Sequence, residues 1–197
     1  MIELVVATRN RKKLEEIREI LGDLKVRLSS LADYPDAPEV VEDGKTFKEN
    51  AAKKARVIAA FTGKLTMGED SGLCVDALGG APGVYSARFA GKGKDDEKNN
   101  QKLLRLLKGK RDRKAHYVCA VALADPGHLV GVVEGTCSGV IGTEPHGTFG
   151  FGYDPLFVIP RYRKTFAQLG PAIKHSMSHR FRALKKAGEL LAKYLRK

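Results

Sequence analysis

Cysteine is scarce in this chain and badly placed for cross-links. Cys74, Cys119 and Cys137 are odd in number and far apart, with no Cys-x-x-Cys pair. That argues against a disulfide framework and against a zinc site. Cys74 and Cys119 lie in apolar runs and read as core residues, and a cytoplasmic address is the simplest one for such a chain. Long hydrophobic runs are missing as well. None is long enough to cross a bilayer, so no membrane partner is expected, and the N-terminus shows no signal-peptide pattern. There is no aromatic-rich RNP-like strand, no zinc finger and no evident helix-turn-helix, so no specific nucleic acid is expected. Repeats, low-complexity tracts and long linkers are also absent. The whole of 1–197 therefore reads as one folding unit.

Acid is in short supply: 23 Asp and Glu stand against 35 Lys and Arg, a formal charge of +12. Such a surface attracts polyanions, whether nucleic acid, anionic lipid or nucleotide phosphate. The sign does not choose among them, and a heat-adapted, Lys-rich surface would look similar. A basic nucleic-acid-binding module remains a rival reading. It predicts salt-sensitive binding and no nucleotide hydrolysis. The few acids are clustered, which counts against that rival, because phosphates are repelled there unless a metal intervenes.

The cluster is Gly68-Glu69-Asp70-Ser71-Gly72. Adjacent carboxylates follow the strand-like Leu65-Thr66-Met67, Ser71-Gly72 is expected to break that strand, and Leu73-Cys74-Val75 is apolar again. Unpaired charge is costly in apolar surroundings. A cation should face these acids, either a Lys or Arg or a hard metal ion held by oxygens. Asp, Ser and Gly are also ordinary turn residues, so a simple turn is the alternative.

Ile2 to Ala7 reads as a buried strand. Thr8-Arg9-Asn10 leaves it, and Asn10 can cap a helix whose apolar stripe is Leu14, Ile17, Ile20 and Leu21, stopped by Gly22. Strand, loop and helix in this order are an α/β signature. Arg9, Arg11, Lys12 and Lys13 crowd the start of that helix, where the dipole disfavours cations. Free amides and cations together make a phosphate cradle; solvated surface lysines are the plainer reading. Lys25 to Leu31 is expected to hold a second strand. A second helix runs from Lys45 to about Phe61, with Phe47, Ala51, Ala55 and Ile58 on one face. Lys54 lies near that face, either snorkelling to water or reaching into a cleft. Glu42, just ahead, can add a carboxylate to Glu69 and Asp70.

Val84 to Gly91 is expected as a short helix. Asp95-Asp96-Glu97 opens a third helix, closed by Lys108-Gly109. Tyr117 to Leu123 and Leu129 to Val133 form a hairpin across Asp125-Pro126-Gly127, a further strand runs on towards Ile141, and Pro155 to Ile159 is another. In Gly147-Thr148-Phe149-Gly150-Phe151-Gly152-Tyr153-Asp154-Pro155, aromatics alternate with glycines. Glycine lets the backbone approach a flat ligand and an aromatic ring offers a stacking face; a structural turn with buried rings fits equally. The last helix begins near Ser178, with His179 and Arg180 in its first turn.

Together these stretches resemble the inosine triphosphate pyrophosphatase family, the ITP, dITP and XTP pyrophosphatases of nucleotide-pool cleaning. The matching motifs are Ala-Thr-Arg-Asn-Arg-Lys-Lys at 7–13, Glu-Asp-Gly-Lys-Thr-Phe-Lys-Glu-Asn-Ala at 42–51 and Glu-Asp-Ser-Gly-Leu at 69–73. Further along come Gly-Gly-Ala-Pro-Gly-Val-Tyr-Ser-Ala-Arg-Phe at 79–89, Gly-Phe-Gly-Tyr-Asp-Pro-Leu-Phe at 150–157 and Ser-His-Arg at 178–180. One departure stands out: the family usually has two aspartates where this chain has Glu69-Asp70. Glu69 is one methylene longer, so its reach to a metal differs.

The resemblance implies a mixed α/β fold: an elongated sheet with flanking helices, two lobes around a central cleft, usually as a homodimer. It implies hydrolysis of ITP, dITP or XTP to the monophosphate and pyrophosphate, with Mg²⁺ as the metal. A related pyrophosphatase acting on other modified nucleotides is the alternative within the same layout. By resemblance Glu42 and Asp70 are metal ligands or stand just behind them, joined by Glu69, and Asp70 is the base that activates water. Thr8, Arg9, Asn10, Arg11, Lys12, Lys13 and Lys54 are expected around the triphosphate, with Ser71 beside it. The base stacks on Phe151, with Gly152, Tyr153, Asp154, Lys174, His179 and Arg180 around the nucleotide. A donor such as Arg180 prefers the 6-carbonyl of hypoxanthine or xanthine to the amino group of adenine, a mismatch costing about 1–3 kcal/mol. The dimer interface is expected to include the Gly79–Gly93 region.

Overall fold

The computed structural model describes residues 2–22 and 26–196. It is a mixed α/β fold with one sheet of seven strands in the order β2-β1-β3-β4-β5-β6-β7. The strands are β1 (Ile2–Val6), β2 (Val26–Ser30), β3 (Thr66–Val75), β4 (Lys114–Ala124), β5 (Leu129–Ile141), β6 (Phe157–Ile159) and β7 (Lys164–Thr165). The helices are α1 (Arg11–Leu21), α2 (Phe47–Thr62), α3 (Asp96–Leu106), α4 (Phe166–Met177) and α5 (His179–Tyr194). β1 runs parallel to β2, from Ile2 opposite Val26 to Val6 opposite Ser30, and parallel to β3. β6 is antiparallel to both β5 and β7. The chain forms two compact units, one of residues 1–70, 119–135 and 180–197, the other of residues 71–118 and 136–179.

The first unit owes its shape to parallel strands that need cover on both faces. Leu4, Val6 and Met67 meet Val121 and Leu123 in one core. Ile17 and Leu21 of α1 and Ala183, Leu184, Ala187 and Leu191 of α5 close over it. As expected, Asn10 caps α1, its side chain accepting from the Lys13 amide. The other cover is α2, capped by Thr46. It presents small residues to β3, and β3 answers with Gly68. A Cβ at Gly68 would lie 2.2 Å from the Ala51 carbonyl oxygen and 2.6 Å from the Ala55 nitrogen. Helix and strand therefore touch backbone to backbone.

The second unit has its own core of Leu73, Leu103, Leu107, Ile141 and Leu156 around an aromatic group. Tyr117 meets Phe157 with ring centroids 4.7 Å apart, and Phe157 meets Phe166 at 5.2 Å. α3 is capped by Asp95, with Asp96 and Glu97 in its first turn, as the charge pattern predicts.

Several expectations need correcting. Ser71-Gly72 does not break the central strand: β3 runs on through all five residues to Val75. Gly68 is there for close packing, and Gly72 is simply another strand residue. The segment after the hairpin and the strand towards Ile141 are one strand, β5. β6 starts at Phe157, two residues beyond the expected Pro155. Cys74 is only half-buried. Residues 83–88 form a 3-10 turn, shorter than the expected helix. α4 has no counterpart among the expected elements. Gly170, at φ 77°, kinks this helix and it resumes. The expected first residue of β2, Lys25, lies outside the described residues.

Gly68→Ala should destabilise the protein by about 1–3 kcal/mol, the usual cost of overpacking. Urea unfolding checks this, and unchanged stability would mean that α2 does not seat on β3 as described.

Candidate functional site

Successive strand residues point to opposite faces. On β3 this separates the two acids. Asp70 shares the Gly68 face, towards α2, and Glu69 shares the Met67 face, towards α1 and α5. Adjacent in sequence, they serve different surroundings.

On the α2 face, Asp70 is 5% exposed. Its Oδ2 accepts from the Asn50 amide at 2.9 Å, and its Oδ1 lies 4.0 Å from the Lys54 ammonium. Lys54 also donates to Glu42 at 2.8 Å. One ammonium thus draws two carboxylates, Glu42 and Asp70, together. Asn50 and Lys54, four residues apart, lie on the same side of α2, and the close contact at Gly68 brings that side to Asp70. Burial raises the Asp70 pKa above the ordinary carboxylate range. Lys54 opposes the rise, Glu42 adds to it and the Asn50 hydrogen bond reduces it. A carboxylate so held takes readily to further positive charge.

On the other face, Glu69 Oε1 accepts from Arg180 Nη2 at 3.0 Å and lies 3.5 Å from Lys13 Nζ. Arg180 Nη1 pairs with Glu16 of α1. The guanidinium is 2% exposed. Burial opposes its charge, but the Glu69 and Glu16 carboxylates outweigh burial and raise its pKa. The thiol of Cys119 sits 3.6 Å from Glu69 Oε1, and burial pushes it well above the usual thiol range. Glu69 is therefore an anchor for Arg180 and Lys13, on the face of β3 opposite to that of Asp70. Arg180 likewise is held inside the first unit, its charge met by two acids.

At the start of α1, Thr8 Oγ1 accepts from the Asn10 amide at 3.1 Å. Arg11 and Lys12 are exposed and Lys13 half-buried. Arg9 is tied to the loop before α2, donating to the Ala37 carbonyl at 3.0 Å. This end of the helix combines exposed cations with amide groups, as its sequence predicts.

The second unit holds a separate cluster. Asp154 is 2% exposed and Lys174 4%, and Lys174 donates to Asp154 Oδ2 at 2.7 Å. The same oxygen accepts from the Phe151 amide at 3.0 Å. A Cβ at Gly150, where φ is +83°, would fall 2.1 Å from that oxygen, so only glycine fits. The Lys174 ammonium lies 4.8 Å from the Phe151 ring centroid, a cation–π distance. Asp154 thus arranges Phe151 and Lys174 and is itself covered. Gly152 donates to Asp96 at 2.7 Å and accepts from Asn100 at 3.0 Å. The Tyr153 hydroxyl turns inward to the Ser86 carbonyl at 2.7 Å, and burial raises its pKa. Tyr153 is a core residue here. His179 stacks on Tyr117, centroids 4.5 Å apart and planes 9° from parallel. Ser71, the residue after Asp70, is half-buried.

The structure therefore gathers Glu42, Lys54 and Asp70 in one cluster and Phe151, Asp154 and Lys174 in another. Among residues the sequence did not single out, Asn50 and Glu16 are the telling ones. Asn50 had a signal: an amide on the apolar side of α2, four residues before Lys54. Glu16 had a weaker one, an acid beside the apolar stripe of α1.

Residues 4–190 match the Ham1 family. The chain is 52% identical over 192 residues to a dITP/XTP pyrophosphatase of Desulforamulus reducens, covering 96% of each. A HAM1 protein from Coxiella burnetii superposes with a TM-score of 0.90 at 39% identity, over 98% of this chain and 100% of that one. A nucleoside-triphosphatase / dITP/XTP pyrophosphatase from Mycobacterium abscessus superposes with a TM-score of 0.77 at 44% identity, over 94% and 97%.

The raised Asp70 pKa has a consequence for stability. The folded protein binds this proton more tightly than the unfolded chain, so stability falls as pH rises from the unfolded carboxylate value through the folded one. Asp70→Asn removes that penalty. In chelator-treated protein it should raise Tm at neutral pH, and the gain should shrink on acidification below the ordinary carboxylate range. A lower Tm at neutral pH would show that Asp70 is not held against its charge.

Proposed function

Because the chain belongs to the Ham1 family, we propose that it is a nucleoside triphosphate pyrophosphatase. It converts dITP, ITP and XTP to the nucleoside monophosphate and pyrophosphate, a reaction of nucleotide-pool cleaning. The observation that carries the mechanism is the buried Asp70 carboxylate, held by Asn50 and paired across Lys54 with Glu42. The names of the relatives support the substrate class.

Glu42 and Asp70 are the residues assigned to magnesium. Their oxygens are hard donors, and among the described residues no group of three or more His, Cys, Asp or Glu is placed to hold a metal ion, so these two carboxylates would hold it with water and phosphate. Magnesium commonly takes one or two carboxylates and completes its shell with water and phosphate oxygens, so the donor set fits. When bound, it neutralises phosphate charge and lowers the pKa of coordinated water. Asp70 orients the attacking water and takes its proton as the new bond to the α-phosphorus forms. The bond from that phosphorus to the bridging oxygen breaks, and pyrophosphate leaves with the electron pair. Lys13 and Lys54 face the triphosphate, with Thr8, Asn10 and the exposed Arg11 and Lys12 at the amide end of α1. Glu69 keeps Lys13 and Arg180 in place from the opposite face of β3.

Phe151 and Lys174 are the residues assigned to the purine. Phe151 offers its ring for stacking and Lys174 a donor for a 6-carbonyl, which adenine lacks. Asp154, Gly152 and Tyr153 shape that loop from behind. The reading is of a cytoplasmic homodimer, and the exposed Tyr85 lies within the region expected at the interface.

Pyrophosphate release from a panel of nucleoside triphosphates tests this reading. The expected result is Mg²⁺-dependent turnover of dITP, about 10–100-fold more efficient than that of dATP. Full activity in excess chelator would remove the metal role. Asp70→Asn should lower kcat by about 10²–10⁴ while the fold persists, and near-normal kcat would refute the base assignment. Lys174→Met should act mainly on KM, and an unchanged KM for dITP would take Lys174 out of purine recognition.

A further inference from the structure

Asn50 is 1% exposed and lies in α2, yet it serves no helix cap and no packing role that an apolar residue would not serve better. Both ends of its amide are used. Oδ1 accepts from the Gly44 backbone N–H at 2.8 Å, and Nδ2 donates to Asp70 Oδ2 at 2.9 Å. The first bond decides the second. A backbone N–H can only donate, so the end of the amide facing Gly44 must be the oxygen. The NH₂ end then has to face Asp70, where it meets an acceptor. The alternative flip would set N–H against N–H and oxygen against oxygen. Gly44 follows Glu42 by two residues, so one amide ties the segment bearing one carboxylate to the strand bearing the other.

We propose that Asn50 is the positioning residue of the reaction: anchored by Gly44, it holds Asp70 Oδ2 and so turns Oδ1 towards Lys54 and the reacting groups. A carboxylate at the end of one χ2 torsion would otherwise rotate, since that torsion is broad. Lys54 cannot do the same work at 4.0 Å. A bond from a neutral donor fixes direction without cancelling the charge that a proton acceptor and a cation ligand both need. Asn50 acts through Asp70 and does not itself touch the substrate.

This inference rests on the assignment of Asp70 as the base, and the experiment separates the two. dITP turnover is measured for the wild type, Asn50→Ala, Asp70→Asn and the double variant. Asn50→Ala should lower kcat about 10–100-fold, the scale of a misplaced reacting group, with KM changed by less than about twofold. In the Asp70→Asn background the same change should alter the residual rate by less than about twofold, because the group it acts through is gone. An equal factor in both backgrounds, or an unchanged kcat in the first, would overturn the proposal. Asn50→Asp guards against a folding defect, as it keeps an oxygen for Gly44 while facing Asp70 with another carboxylate. It too should lose kcat, and full activity would overturn the proposal. A second readout needs no substrate. In chelator-treated protein the urea stabilities of the same four proteins should be non-additive, because the two side chains touch; additive effects would count against the contact. A wild type inactive on dITP would instead strike the functional reading and leave the stability cycle to judge the contact.

Discussion

The architecture of the first cluster depends on one close contact, that of α2 against β3 at Gly68. With no side chain there, the helix backbone sits on the strand, where a Cβ would collide with Ala51 and Ala55. The contact is what puts Asn50 and Lys54, one helical turn apart, alongside Asp70, two residues along the strand. Any bulkier residue at 68 would lift the helix, and the amide and ammonium would lose their reach. The geometry of the cluster and the packing of the core are here one constraint, so what loosens the one loosens the other.

The second organising principle is strand alternation acting on charge. Glu69 and Asp70 are neighbours in the chain, but their side chains leave β3 on opposite faces. One acid faces cations: Glu69 Oε1, with Glu16, meets the buried guanidinium of Arg180, and the same oxygen pairs with Lys13. The other meets Asn50 and Lys54, with burial raising its pKa against the pull of that ammonium. Perturbation of that kind is what a general base requires. A basic protein with few acids has placed some of the buried ones where they oppose each other across a single strand.

Much of the fold could be read from the sequence because local signals agreed with the packing. Asn10 and Asp95 cap the helices they precede, and the apolar stripes of α1 and α2 face the cores. The acids of the site were equally legible, since carboxylates between apolar runs need a cation. What could not be read is which cation each acid meets. Glu69 and Asp70 look alike in the chain, and only the pleat tells that one turns to Arg180 and the other to Lys54. Gly72 looked like a break because a glycine within a strand and one at a turn are identical in sequence. Tyr153 and Asp154 carry the chemistry expected of ligand contacts, yet packing turns both inward.

The most direct test is a crystal structure of the protein with Mg²⁺ and a non-hydrolysable α,β-imido analogue of dITP. The account predicts a cation on the Glu42 and Asp70 carboxylates, the triphosphate against Lys13 and Lys54, and the Asn50 amide still on Asp70. A triphosphate and cation bound away from Asp70 would contradict it.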